Sequence, residues 1–261
     1  MVGGVLLGIV QGITEWLPVS SEGAVTAAGS LFLDMTTADA LAFALWLHLG
    51  TAVAATIAFR TQLLGLAREA LSDPTHPSPL LVFLVVGTAS SVFVGLPILL
   101  ALDEISTAFG AAGMIAVGAL MLITAATQAR QGQAGERTRD DLSMLDAVST
   151  GIAQGLAALP GLSRSGLTVA VLLGRGVDRS EALAVSFLMS IPASLGAALF
   201  AGLDSDSLRS TEGVVGAVVA MVVGLASIRL LLYVAHRVNF FWFVLLAGVA
   251  IMAGGVAQIW L

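Results

Sequence analysis

Long apolar runs separated by short polar stretches dominate this chain. A helix crossing a hydrocarbon layer of roughly 30 Å needs about 20 apolar residues. Six stretches meet that requirement, at about 39–60, 79–102, 108–128, 182–203, 212–234 and 239–260. Two further segments, 1–33 and 143–176, are apolar but interrupted. Each reads as an apolar helix of about 15 residues, too short to span, then a break rich in Pro, Ser and Gly, then a second short apolar helix. This pattern predicts re-entrant hairpins that enter and leave on one side rather than kinked spans. Irregular backbone at membrane depth is tolerated only where protein or a water-filled cavity surrounds it.

The two interrupted segments resemble each other. Gly8, Ile9, Gln11, Gly12, Ser20 and Gly23 recur at one fixed offset as Gly151, Ile152, Gln154, Gly155, Ser163 and Gly166. A further match sets Ala38-Asp39-Ala40-Leu41-Ala42 against Ser180-Glu181-Ala182-Leu183-Ala184. The expectation is an all-α integral membrane protein, one membrane domain over 1–261. It is built as an inverted-topology repeat of six full transmembrane helices plus two re-entrant helical hairpins. Repeat one covers about 1–129 and repeat two about 143–261, each with one hairpin and three spans. An odd number of crossings inverts the second copy, so the hairpins enter from opposite faces and their tips meet near the midplane. Interrupted segments at corresponding places in two halves point to a binding site.

Composition agrees with a membrane protein: 57% of residues are hydrophobic, 11% are charged, and the mean hydropathy is +0.98. There is no cysteine, which removes disulfides and thiolate metal sites. The N-terminus lacks a basic leader region and its apolar run belongs to the repeat, so it is expected to be retained. All eleven basic residues are Arg, and they are spread over loops rather than gathered on a face, which argues against nucleic-acid binding.

The loop charges orient the chain. Arg60, Arg68, Arg130, Arg137, Arg139, Arg175, Arg179, His236 and Arg237 fall on one side. Asp34, Asp39, Asp103, Glu104, Asp204, Asp206 and Glu212 fall on the other, with Arg209 the one basic residue among them. The positive-inside rule then opens the first hairpin to the outside of the cell membrane. Gly8/Gly12 and Gly151/Gly155 form GxxxG pairs that permit close helix packing.

Ionisable groups at membrane depth are costly and mark functional sites. The hairpins hold Glu15, Glu22 and Arg164, and the central spans add His48, whose ordinary role would be a packed, hydrogen-bonded residue. Arg164 presents a planar fork of donors suited to phosphate, at the N-terminus of a helix whose free N–H groups favour anions. Ser163, Ser165 and Thr168 stand beside it as further donors. An oxyanion cradle follows, the alternative being an ion pair between Arg164 and Glu15 or Glu22. Gln11 lies one helical turn before Glu15 and faces the same way. A carboxylate beside a phosphate calls for a hard cation between them, Mg²⁺ or Ca²⁺ held by Glu15 and substrate oxygens. The competing role for Glu15 is general base. Of Ser20 and Ser21, one is expected to cap the following helix and the other to react.

These motifs carry a family resemblance. Gln11-Gly12-Ile13-Thr14-Glu15-Trp16-Leu17-Pro18-Val19-Ser20-Ser21 resembles the first signature of the undecaprenyl-diphosphate phosphatase family known as BacA or UppP. Pro160-Gly161-Leu162-Ser163-Arg164-Ser165-Gly166-Leu167-Thr168 matches the second signature at every specified position, and Leu49-Gly50-Thr51, Ser186-Phe187 and Ile191-Pro192 also fit. The likeness runs over essentially the whole chain. It implies a multi-pass enzyme of the cell membrane, dependent on a divalent metal. Such an enzyme hydrolyses a polyprenyl diphosphate to the monophosphate and inorganic phosphate at the outer face, recycling a glycan carrier lipid. Carried over by position, the functional residues are Glu15 with Gln11, Ser21, Arg164, Ser163, Ser165 and Thr168.

One departure stands out. The family reads SSxGH at the first tip and its His is thought to assist catalysis, whereas Ser20-Ser21-Glu22-Gly23-Ala24 has Ala at that place and an extra carboxylate before it. Proton transfer then falls to Glu22 or Glu15, or His48 reaches the site from the neighbouring span, or hydrolysis is lost. Inverted repeats with midplane hairpins also build secondary carriers, so a polyprenyl-phosphate flippase or anion transporter is the alternative function. The expected partners are the polyprenyl diphosphate and the bilayer, with a homodimer among the assemblies open to it.

Overall fold

The computed structural model describes residues 1–101, 135–159, 161–202, 210–234 and 240–260, with scattered positions between 115 and 126. Among the described residues the secondary structure is helical apart from one isolated bridge, Arg137 with Val177. Four helices are long and apolar enough to cross a membrane, within Ala38–Ala58, Pro79–Leu100, Arg179–Phe200 and Thr211–Tyr233. The protein is an all-α membrane protein.

Each interrupted segment folds as two short helices. Helix α1 (Val2–Thr14) and helix α2 (Ser21–Phe32) flank the first break. At roughly 20 Å each, neither matches the hydrocarbon thickness. Pro18 lacks the N–H that would continue α1, and Ser20 restarts the chain by accepting from Gly23 N at 3.1 Å as the N-cap of α2. Helices α3 (Thr37–Ala58), α4 (Arg60–Ser72) and α5 (Pro79–Leu100) follow. Thr36 caps α3, while Ser78 caps α5 with Pro79 in its first turn. Helix α4 was not expected from the apolar pattern. It is short, rich in polar residues and has no fully buried side chain, so it carries little of the hydrophobic signal that reveals a span.

The second interrupted segment gives α6 (Met144–Leu156), started by a reciprocal Ser143/Asp146 capping box, and α7 (Arg164–Gly174), capped by Ser163. Helices α8 (Arg179–Gly202), α9 (Thr211–Val234) and α10 (Phe240–Trp260) complete the chain. The expected spans at 39–60, 79–102, 182–203, 212–234 and 239–260 correspond to α3, α5, α8, α9 and α10 within a few residues. The expected span over 108–128 falls mostly outside the described residues.

The short helices exchange partners. Helix α1 packs on α9 and helix α6 packs on α5, while α3 lies against α8 and α9. Glycine makes both exchanges close. A Cβ on Gly8 would sit 2.5 Å from Gly216 O, and one on Gly12 would sit 2.8 Å from Gly224 N. On the other side, a Cβ on Gly151 would sit 2.4 Å from Gly87 O, and one on Gly155 would sit 2.8 Å from Ser91 O. Both GxxxG pairs therefore bring backbone against backbone, as small residues allow between membrane helices.

The first break is pinned by Trp16. Its side chain is fully buried, stacks edge-on against Phe187 with ring centroids 5.0 Å apart, and donates from Nε1 to Gly224 O at 3.1 Å. Since Phe187 belongs to α8 and Gly224 to α9, this one residue fixes the break against two long helices, and with it the neighbouring Glu15. The polar loop before α6 is tied differently. Buried Asp146 is paired by Arg137 and Arg175, and Arg139 pairs with Glu181 at 2.7 Å. Burial works against the Asp146 charge, but donors on Arg137, Ser143 and Arg175 prevail and hold its carboxyl well below the usual carboxylate range.

Candidate active site

The two breaks meet. The tip after α1 supplies Glu15, and the start of α7 supplies Arg164, whose Nη2 pairs with Glu15 Oε1. The contact is backed by hydroxyls: Ser165 Oγ donates to Leu17 O at 2.7 Å, and Ser163 Oγ lies 3.4 Å from the same carbonyl. One carbonyl that the first break leaves outside its helices is thereby satisfied by the second, as part-buried backbone groups require.

Glu15 is the hub. Its Oε2 accepts from Gln11 Nε2 at 2.8 Å and from Ser21 Oγ at 2.7 Å, with His48 Nε2 at 3.3 Å. Four side chains from four helices converge on one buried carboxylate. Ser20 and Ser21 divide as the helix restart demands, Ser20 capping α2 and Ser21 turning its hydroxyl to Glu15.

A cavity of about 460 Å³ opens beside this cluster. Its polar lining includes Glu15, Ser20, Ser21, Glu22, His48, Ser163 and Arg164, together with Ser91, Gln154 and Ser194. The apolar lining comes from Leu41 and Leu45 on α3, Val92, Leu96 and Leu99 on α5, and Leu199 and Phe200 on α8. Val92, Leu96, Leu199 and Phe200 are also exposed on the outer surface, so the apolar wall continues to the flank of the helix bundle. Arg164 Nη1 is buried and has no acceptor among the described residues. An unpaired buried donor of this kind costs on the order of 1–3 kcal/mol, so an anion arriving in the cavity would relieve it.

Several expected roles change. Ser165 and Thr168 do not line the cavity. Ser165 is spent on Leu17 O, and Thr168 pairs with Ser186 at 2.6 Å and with the Arg164 carbonyl at 2.9 Å. With both hydroxyls engaged inside the protein, the donors left facing the cavity at this tip are Arg164, Ser163 and the α7 N-terminus. Gln11 is likewise fully buried behind Glu15 and orients it. Glu15 lines the cavity with Oε1 on Arg164 and Oε2 facing Gln11, Ser21 and His48. Among the described residues no three His, Asp or Glu side chains gather for a metal. Glu22 also lines the cavity and has no hydrogen-bond partner among the described residues.

The lining residues Ser91, Gln154 and Ser194 were not anticipated. Gln154 was discoverable, because it occupies the place of Gln11 in the second segment. It donates to Ser91 Oγ at 3.2 Å and to Met189 O at 3.3 Å. The serines lie inside apolar spans, where isolated hydroxyls are ordinary and carry no signal.

Comparison with known proteins gives the same answer along most of the chain. The family model described as "Bacitracin resistance protein BacA" matches residues 4–253. The chain is 37% identical over 251 residues to the undecaprenyl-diphosphatase of Methanococcoides burtonii, covering 94% of each chain. It is 39% identical over 248 residues to the undecaprenyl-diphosphatase of Haloarcula marismortui, covering 90% of each. Against that of Methanopyrus kandleri it is 38% identical over 259 residues, covering 97% of this chain and 93% of the relative.

Proposed function

The chain belongs to the bacitracin resistance protein BacA family, and from this premise we propose that it hydrolyses a polyprenyl diphosphate, undecaprenyl diphosphate or a close analogue. The products are the lipid monophosphate and inorganic phosphate. The observation that carries the reading is Arg164 Nη1, a buried guanidinium donor left without an acceptor beside the Ser21–Glu15 pair.

The terminal phosphate enters the cavity and takes the donors of Arg164, the N-terminus of α7 and Ser163. Charge neutralisation is the main task in phosphoryl transfer, because the transition state spreads negative charge over the phosphoryl oxygens. Ser21 attacks in line while Glu15 takes the hydroxyl proton. The P–O bond to Ser21 forms as the anhydride P–O bond breaks, and the bonding electrons leave with the lipid monophosphate. Water then releases phosphate from Ser21 by the reverse proton path. The remaining residues hold this arrangement: Gln11 orients Glu15, Ser20 caps α2, and Ser165 and Thr168 fasten the second tip. The prenyl chain runs along Leu96 and Leu99 of α5 and Leu199 and Phe200 of α8 toward lipid.

A divalent cation, Mg²⁺ or Ca²⁺, would shield the diphosphate charge, with Glu22 and substrate oxygens as its ligands. The two interrupted segments are the re-entrant hairpins of an inverted repeat with six spans, a reading supported by the exchanged packing of α1 on α9 and α6 on α5. The loop charges open the site to the outer face of the cell membrane.

The reading is tested with purified protein in liposomes and farnesyl or undecaprenyl diphosphate. Release of one phosphate per lipid, leaving the monophosphate, is expected. Lipid transfer across the bilayer without phosphate release would overturn it.

A further inference from the structure

We propose that His48 is a positioning residue that holds Glu15 ionised while Arg164 is drawn to the substrate. The inference deepens the phosphatase reading and rests on it. His48 is buried on α3, and its ring is fixed at both nitrogens. Nδ1 lies 2.9 Å from Ala44 O. A carbonyl oxygen only accepts, so Nδ1 carries a proton. Nε2 lies 3.3 Å from Glu15 Oε2, and a bare Nε2 would set a lone pair against the carboxylate. The arrangement that satisfies both edges is an imidazolium facing a carboxylate.

Glu15 therefore sits between two cations, Arg164 on Oε1 and His48 on Oε2. The two are not equivalent. Arg164 lines the cavity, keeps an idle donor at Nη1 and is the group a phosphate would claim. His48 is anchored to its own helix by Ala44. Once a phosphate takes the guanidinium, Glu15 is left at membrane depth beside a multiply charged anion. Without a second cation it would take up a proton and lose its capacity to accept one from Ser21. Among the described residues the charged groups facing His48 are Glu15 after α1 and Glu22 on α2, with Arg164 of α7 on the far side of Glu15. Ala24 offers nothing at the first tip, so His48 is the imidazole this chain brings to the site.

The test uses full-length protein in detergent and phosphate release from farnesyl diphosphate. His48→Ala and His48→Gln are expected to lower kcat by about a hundredfold, the lower end for positioned proton transfer, with KM and the binding of a methylene-bridged diphosphonate analogue little changed. Added imidazole should restore His48→Ala, because it can carry the charge. Pyrazole has the same shape and stays neutral, so it should not. A wild-type kcat in His48→Gln, or equal rescue by both heterocycles, would show that the residue only fills space and would overturn the proposal. Should His48→Ala fail to fold, His48→Gln alone decides. Absence of phosphate release from the unaltered protein would instead strike the phosphatase reading itself.

Discussion

Ser21 Oγ donates to Glu15 Oε2 across 2.7 Å, with Gln11 bonded to the same oxygen from one helical turn earlier. A hydroxyl and a carboxylate able to take its proton are thus set on opposite sides of a chain break, the arrangement the proposed mechanism uses to activate a weak nucleophile. Glu15→Gln keeps the shape but removes the proton acceptor, and is expected to lower kcat by about 10²–10⁴-fold with KM nearly unchanged. Ser21→Ala should abolish the labelled phosphoprotein that acid quenching traps from the native protein during turnover. Undiminished labelling in that variant would move the attack to another group.

The latch between the two breaks has a separable effect. Ser165→Ala removes a donor from Leu17 O without touching the cavity wall. Loss of about 1 kcal/mol of stability is expected, measured as a lower melting temperature in detergent, together with a fall in kcat as the Glu15–Arg164 register loosens. If Ser165 instead met the phosphate, KM would rise while the melting temperature held.

Close packing at the glycines gives a sharper expectation. Gly151→Leu forces side-chain atoms into the space now filled by the Gly87 backbone, and Gly12→Leu does the same at Gly224. Overpacking costs about 1–3 kcal/mol where neighbours can shift, and backbone on a facing helix shifts poorly. Both variants should be recovered in low yield and elute as aggregates on size exclusion. Gly65→Leu, on exposed α4 with nothing near its Cβ position, should behave as the native protein does.

Much of this was legible in the sequence, for physical reasons that differ by residue. Pro18 and Gly161 had to interrupt helices, and Glu15 and Arg164 were too costly at membrane depth to be incidental. The division of labour between Ser20 and Ser21 followed from helix capping. What escaped was direction. Ser165 follows Arg164 but is turned about 100° around the helix and bonds to Leu17, while Thr168, a full turn deeper, is taken up by the Arg164 carbonyl and Ser186 instead of a ligand. Helix α4 escaped because an amphipathic surface helix has no apolar run. The two contacts of His48, to Ala44 O and to Glu15, depend on ring orientation that one position on an apolar span does not disclose.

The Asp146 clasp makes a prediction about pH. Its carboxyl sits well below the usual range in the folded protein, so its stabilising contribution is present above the unfolded value of about 3.9. It is lost only as pH falls through the lower folded value. Between pH 5 and 8 this group should leave the melting temperature flat. Asp146→Ala leaves Arg137 and Arg175 without their shared partner and is expected to cost about 3 kcal/mol at neutral pH, detected by thermal unfolding.

The most direct measurement compares native protein and Arg164→Ala for phosphate release from farnesyl diphosphate, alongside binding of the non-hydrolysable diphosphonate analogue. Among the described residues Arg164 supplies the one buried, unpaired cationic donor at the meeting of the two breaks, so its loss should remove both analogue binding and detectable turnover while the fold survives. Native-rate phosphate release by Arg164→Ala would contradict that assignment outright.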